Sequence, residues 1–294
     1  METLSIFEIT PIEIRKLDVR NAHEALRQVP GLYFSRSSKN EVTFKIRGFE
    51  QRQVSVYLDG VPISIPYDDV VDLSQLADDN FESSRIAKGV SSLLYGANNL
   101  GGTVLIITAL TEKQFSYKWR MEGSLHSEIF TNILFSGSVQ KLKYSTSITL
   151  ERAPEFSLPK SAPAMLNEDG GKHNNSSYHK NSYHLKIQYA LHPSHRIGAH
   201  LNLINNQIDV PPNALMTYPR YWKFPEWKKN VLSFNTKHIF SCHVIIRSIW
   251  FLDTYRNILE SYDDETYSTR SKKYAFTSVY DDYTKGGIIY PQVS

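Results

Sequence analysis

Cysteine is almost absent. Cys242 is the one thiol in 294 residues, which excludes an internal disulfide and fits no zinc-binding spacing. It reads as a small apolar filler near a turn. Long hydrophobic runs are missing too: the longest, Val104 to Leu110, is seven residues and is interrupted by Thr108, far short of the ~20 that a membrane-crossing helix needs. Nor is one sign of charge in excess. The 33 basic and 30 acidic side chains leave a net +3, so nothing calls for nucleic acid or an anionic surface as a partner. No G-x-S-x-G, H-E-x-x-H or paired metal-ligand spacing occurs, and Ser, His and Asp form no nucleophile and base order, so no enzyme is expected. The start, Met1-Glu2-Thr3-Leu4-Ser5, shows neither the basic nor the apolar region of a secretory signal.

What is present divides near Glu112-Lys113. Before it, helix and strand signals alternate. Asn21 followed by Glu24 predicts a capped helix over 21–29, ended by Pro30-Gly31. Val42 to Ile46 alternates as a strand. Val54 to Leu58 and Val61 to Ile65 flank Asp59-Gly60, the sequence of a two-residue turn whose central positions both take positive φ. Leu73 to Leu76 and Ser91 to Tyr95 each read as one helical turn, the second stopped by Gly96. Gly101-Gly102 then permits a sharp turn into a buried strand, Thr103 to Thr108. This glycine-rich region lacks the Lys-Ser/Thr pair of a P-loop and the G-x-G-x-x-G spacing, so it is not read as a phosphate cradle.

Six short motifs recur here in order: Val29-Pro30-Gly31, Ile46-Arg47-Gly48-Phe49, Tyr57-Leu58-Asp59-Gly60-Val61-Pro62, Leu94-Tyr95-Gly96-Ala97, Gly101-Gly102 and Ile106-Ile107-Thr108. The series closely resembles the plug domain of TonB-dependent outer-membrane receptors. It covers roughly residues 10 to 112 and continues more weakly into the start of the family's barrel. In that family the plug fills a 22-stranded barrel, and outer loops and plug tips capture a scarce nutrient such as a ferric siderophore. A TonB complex of the inner membrane drives release. The resemblance puts Arg47 near the plug's outward tip, with Gln51, Arg52, Pro66, Tyr67 and Asp68 on neighbouring apical loops as ligand-binding candidates. Read as a residue alone, Arg47 equally suits a structural arginine whose fork holds a carboxylate or carbonyls.

Beyond residue 113, helix signals vanish and apolar and polar residues alternate strictly. Leu142, Tyr144, Ile148 and Leu150 interleave with Lys143, Ser145, Ser147 and Thr149. The same pattern recurs around Leu185 to Leu191 and Ile197 to Leu203. Short links are expected near Gln140-Lys141, His192 to Ser194, Ser241-Cys242 and Asp282 to Lys285. Long ones run roughly Ala153 to Tyr178, Gln207 to Lys229 and Arg256 to Ser271, and strands of about eleven residues between them suit a tilted bilayer crossing. A meander with brief turns on one side and extended loops on the other is the sequence form of an outer-membrane barrel. Tyr117, Trp119, Tyr183 and Tyr189 suit interfacial girdles.

Six of the ten histidines lie between His173 and His200. His184, His192, His195 and His200 read as scattered polar residues on wet faces pointing to different places, so no metal site and no cofactor are expected. Tyr218, Tyr221, Trp222 and Trp227 form an aromatic set in a long loop that either stacks on a ligand or packs the loop, with Tyr221 and Trp222 the contact candidates.

The expected fold is thus an α+β plug domain over 1–112, followed over 113–294 by about eight or nine antiparallel transmembrane strands of an incomplete β-barrel. The expected role is outer-membrane uptake of a metal chelate or other small molecule in a Gram-negative cell, with TonB and outer-membrane lipid as partners. The open edge left by these strands, and the lack of an evident TonB-contacting segment ahead of the plug, lead to the expectation that these residues alone do not transport. The alternative is a soluble or surface β-rich binding module. A signalling receptor of the same family would need a further N-terminal domain.

Overall fold

Thr10 and Glu13 form a reciprocal capping box at the head of the first helix, α1 (Pro11–Leu17), with Pro11 in the first turn where its missing N–H costs nothing. The second helix, α2 (Ala22–Leu26), is capped by the Asn21 side chain, which accepts from the Glu24 N–H at 3.0 Å. The Glu24 carboxylate accepts from the Arg20 backbone N–H at 2.8 Å, so the expected box is displaced by one residue. The computed structural model describes residues 5–65, 69–76, 81–89, 100–124, 127–241 and 243–293. The helical turn expected over Ser91 to Tyr95, the Leu94 to Ala97 motif and Cys242 lie outside these residues.

Eight strands build the N-terminal unit: β1 (Ser5–Ile9), β2 (Leu32–Arg36), β3 (Val42–Ile46), β4 (Phe49–Glu50), β5 (Val54–Leu58), β6 (Val61–Pro62), β7 (Phe81–Lys88) and β8 (Gly102–Thr108). They form a five-stranded sheet of order β1-β7-β8-β5-β6 and a three-stranded sheet β2-β3-β4. Among the described residues only β5 and β8 run parallel. Two tight turns carry positive φ at both central residues, Arg47-Gly48 (50° and 90°) and Asp59-Gly60 (50° and 86°), the geometry whose twist matches the flanking strands. Gly102 sits at φ 136°, and a Cβ there would collide with the Ala87 carbonyl of β7. Leu26, Phe44, Ile46, Val61, Ile86 and Val104 are fully buried between sheets and helices, each contributing roughly 1.5–3 kcal/mol of burial. This is a dry core of the ordinary kind. Leu73–Gln75 is a single 3₁₀ turn, as expected in kind.

The second part is one antiparallel sheet in strict chain order: β9 (Ser116–Gly123), β10 (Ile129–Val139), β11 (Leu142–Ala153), β12 (Tyr178–His192), β13 (His195–Val210), β14 (Tyr221–Ile239), β15 (Val244–Tyr262) and β16 (Phe276–Val293). The eight strands agree with the alternation, but two expectations fail. Asp282 to Lys285 is no turn: it lies inside β16, where Arg256 pairs with Asp281 and donates to it at 2.6 Å. β14 and β15 are also 19 residues long, and the loop between β13 and β14 is only 211–220. Register shifts at Asn206/Ile208 and Lys223/Glu226 explain the difference. Both mark the same extra residue of β14, between Lys223 and Trp227, and this single bulge reverses the alternation, so a continuous strand reads as a loop.

The sheet's two faces invert the usual rule. The face turned to the N-terminal unit buries Ser145, Ser147, Thr149, His184, His200, Lys229, Ser233, Asp253 and Asn257, while the opposite face exposes Ile148, Leu150, Leu203, Leu232, Phe234, Trp250 and Leu252. Among the described residues no helix is long and apolar enough to cross a membrane.

Candidate ligand cleft and docking face

At the long-loop end, the heads of β14 and β15 and the loop over 263–275 enclose a cleft of about 1020 Å³. Tyr221 and Trp222 line it from β14, Tyr262 from β15 and Tyr274 from the loop, and Lys39 enters from the β2–β3 turn of the N-terminal unit. Local packing fixes these rings. Tyr267 meets Tyr221 and Tyr262 edge-on at 5.8 and 5.6 Å. Arg220 lies 4.7 Å over Trp222, and Trp222 packs with Val210, Phe224 and Leu259 in a small apolar cluster. Asp263, accepting from the Ser271 and Lys272 N–H groups at 2.7 and 2.8 Å, ties the loop to the strand end. Aromatic faces beside ammonium and carboxylate groups suit a bulky ligand with planar and charged parts.

The other sequence candidates lie elsewhere. Arg47 is exposed in the β3–β4 turn, at the end of the β2–β3 hairpin away from Lys39, and Arg52 is exposed in the 3₁₀ turn that follows β4. Gln51 is buried and donates to the Val71 carbonyl at 2.6 Å, a structural role. None of the three lines the cleft. Pro66, Tyr67 and Asp68 lie outside the described residues. Lys39, Tyr262 and Tyr274 were not singled out from sequence, although the Ser37 to Asn40 run between two strands is a readable loop tip.

Polar contacts hold the N-terminal unit against the sheet. Arg20 forks onto Glu122 and Glu128 at 2.5 and 2.6 Å, and Arg120 donates to the Val19 and Asp18 carbonyls. Lower down, Lys180 donates to the Ser74 carbonyl, Asn206 to Gln75 and Lys229 to the Ser64 carbonyl and Asp253. At the Asp59-Gly60 turn, Lys186 donates to Asp59 at 2.7 Å and to the Thr108 carbonyl at 2.8 Å. Burial alone would raise the Asp59 carboxyl, but the adjacent Lys186 ammonium outweighs it and holds the group well below the usual carboxylate range. The expectation that His184 and His200 point to different places fails here. They sit diagonally on adjacent strands of the same inner face, ring centres 4.8 Å apart, beside Asp59.

The TonB-dependent Receptor Plug Domain family matches residues 2–103. The vitamin B12 transporter BtuB of Vibrio vulnificus (strain YJ016) is 25% identical over 148 residues, covering 45% of this chain and 24% of that protein. Among solved structures, the copper transporter OprC superposes with a TM-score of 0.77 at 11% identity, over 99% of this chain and 43% of its own. The ferripyoverdine receptor of the outer membrane of Pseudomonas aeruginosa gives 0.69 at 14% identity, over 97% of this chain and 38% of its own. The chain therefore spans under half the length of these proteins, which are transporters and receptors rather than enzymes. Its residues 2–103 are a plug domain of the TonB-dependent receptor family, and the chain as a whole carries the fold of those receptors through the plug and eight strands of the wall.

Proposed function

We propose that these residues form the plug and part of the wall of an outer-membrane receptor that takes up a metal chelate, a ferric siderophore being the leading cargo, with release driven through a TonB complex. The observation that carries the reading is the inverted sheet. Exposed Ile148, Leu203, Phe234 and Trp250 oppose buried Ser145, His200, Lys229 and Asp253, an arrangement that favours lipid outside and a polar lumen within. The alternative, a soluble sandwich, would put the apolar face inward against a second layer; here the inner face meets the plug largely through charged and amide groups, with Trp227, Val231 and Tyr255 its apolar contacts. The proposed domain division stays at 112/113, ahead of β9.

The cleft of Tyr221, Trp222, Tyr262 and Lys39 is the proposed site of first cargo contact. Arg47 and Arg52, exposed on the plug, are proposed as deeper contacts along the route. The sheet of these residues is open, with β9 and β16 each paired on one side only. Bare backbone groups in lipid cost several kcal/mol each, so these strands alone are proposed to pass no solute, and a closed wall needs further strands.

Fluorescence quenching tests the site. The chain folded in detergent micelles is titrated with a ferric hydroxamate, a ferric catecholate and cyanocobalamin, following its tryptophans. Saturable quenching by one iron chelate, weakened at least about fivefold by a Tyr221→Ala/Tyr262→Ala pair, is expected from loss of ring contacts of roughly 0.5–1.5 kcal/mol each. Binding of cyanocobalamin in place of both chelates would overturn the iron assignment, and binding unaffected by the pair would overturn the cleft.

A further inference from the structure

Where the plug's Asp59 turn meets the wall, the structure buries more nitrogen than it satisfies. His184 of β12 and His200 of β13 are 2% and 1% exposed. Neither ring of the two has a hydrogen-bond partner at either nitrogen, and the Oδ1 of Asn202, directly across from His184, is likewise buried and unpartnered. An imidazole always offers at least one lone pair or one N–H at each nitrogen, and leaving such a group buried and unmet costs about 1–3 kcal/mol. Five such atoms at one spot call for an occupant.

Asp59 supplies the remaining donor. Its Oδ1 accepts from Lys186 at 2.7 Å and from the Thr108 N–H at 3.1 Å, and its Oδ2 accepts from the Thr108 hydroxyl at 2.5 Å. A lone pair of Oδ2 is left on the side of His200, whose Nε2 lies 3.6 Å away. One ligand atom from each of Asp59, His184 and His200 falls within 4.8 Å of the others. Two donors bound at ~2.1 Å to one ion are at most ~4.2 Å apart, so small side-chain rotations bring all three onto a common centre.

We infer that Asp59, His184 and His200 form a divalent transition-metal site that clips the plug's hairpin turn to the barrel wall. Two imidazoles and one carboxylate suit zinc, cobalt, nickel, iron or copper; magnesium and calcium, which need oxygen shells, are excluded by the same donor set. Because two ligands come from the wall and one from the plug, the ion would be held only while the plug is seated. Lys186 competes for Asp59, and its second acceptor, the Thr108 carbonyl, gives it a place to go.

Cobalt(II) alone, added to the chelator-stripped chain in detergent micelles, is the probe. One ion per chain with tetrahedral-type visible absorption is expected, and Lys186→Met, which removes the competing cation, tightens binding. A His184→Gln/His200→Gln pair weakens it by more than about 100-fold, beyond what loss of an outer partner typically does. His195→Gln/His238→Gln is the control: these half-buried rings, with Nδ1 atoms 3.1 Å apart near the short turns, are a pair remote from Asp59 that should not matter. X-ray absorption on the unmutated chain counts imidazole ligands independently of whether the inner variants fold. Two imidazoles support the site. Fewer than two, no cobalt bound, binding that survives the inner pair but not the control pair, or no tightening in Lys186→Met would overturn it.

Discussion

The plug and the wall are held together by opposite uses of burial. In the plug, Leu26, Phe44, Ile46, Ile86 and Val104 are hidden and form an apolar core driven by the hydrophobic effect, with Asp72 and Lys88 the few charges buried at its margin. In the wall, the hidden face carries Lys229, Asp253, His184, His200 and Asn257, and the greasy face is on display. Such a sheet gains nothing from water on its outer side, which is why the proposed function sets lipid there. Its inner side needs a polar partner to satisfy what it buries, and the plug's Ser64, Ser74 and Thr108 carbonyls, Gln75 and Asp59 meet that need. An apolar core and a largely polar interface therefore coexist a few residues apart, the two joined where Trp227, Val231 and Tyr255 of the wall extend the plug's apolar cluster, which teaches that the plug is built as a globule but docks mainly through polar groups.

The comparison breaks hardest at Lys229. Its ammonium reaches both Asp253 oxygens, at 2.9 and 2.7 Å, and the Ser64 carbonyl, at 3.0 Å, with almost no exposure. Lys229→Met strands a buried carboxylate and should cost about 3–5 kcal/mol, whereas Lys229→Met with Asp253→Leu should recover most of it. Urea unfolding of the chain in lipid vesicles measures both. Next in size is the outer face. Leu232, 37% exposed, would tolerate lysine within about 0.5 kcal/mol if it faced water. Against hydrocarbon the cost of Leu232→Lys is roughly 2–4 kcal/mol. The same vesicle experiment separates the two, and a near-zero result would remove the membrane reading. Smaller again is Gly60→Ala, at φ 86° and with its Cβ 2.6 Å from Ile249 Cδ1. It should cost about 1–3 kcal/mol in strain and show as faster proteolysis of the plug with the wall intact.

Much of this was legible because it is local. Asp59-Gly60 announced its turn, Asn21 its cap, and the polar and apolar alternation of β11 to β13 its two faces. What was not legible had a physical cause in each case. The Thr10 and Glu13 box and β1 precede the first conspicuous apolar pattern, so their short signals had no context. The bulge in β14 hid the upper part of the wall by reversing its phase, and Asp282 to Lys285 looked like a turn because the strand it pairs with, Leu252 to Tyr255, lies some way back in the sequence. His184 and His200 had both been placed on wet faces. Their juxtaposition follows from the hairpin register, His184 opposite Asn202 and Lys186 opposite His200, but the arrival of Asp59 from another domain follows from nothing local. The same holds for Lys39 at the cleft.

Acidity gives the gentlest probe of the plug and wall contact, and its sign follows from Asp59. A carboxyl whose folded-state pKa is depressed stabilises the folded state fully above its unfolded value, and that contribution is lost as pH falls toward the folded one. With Lys186 holding Asp59 below its ordinary 3.8, its contribution should be constant from neutral pH down to about pH 5 and shrink only below that. Asp59→Asn should be less stable than the parent at pH 7 and converge on it in strong acid, while Glu122, Glu128 and Asp253, present in both, cancel from the difference. The comparison is made in vesicles with chelator present, so that neither Lys186, His184 nor His200 is contending with a metal ion. A gap between the two chains that widens on acidification would mean that Asp59 is repelled rather than held where it sits, and the polar docking of plug to wall would have to rest on Arg20 and Lys229 instead.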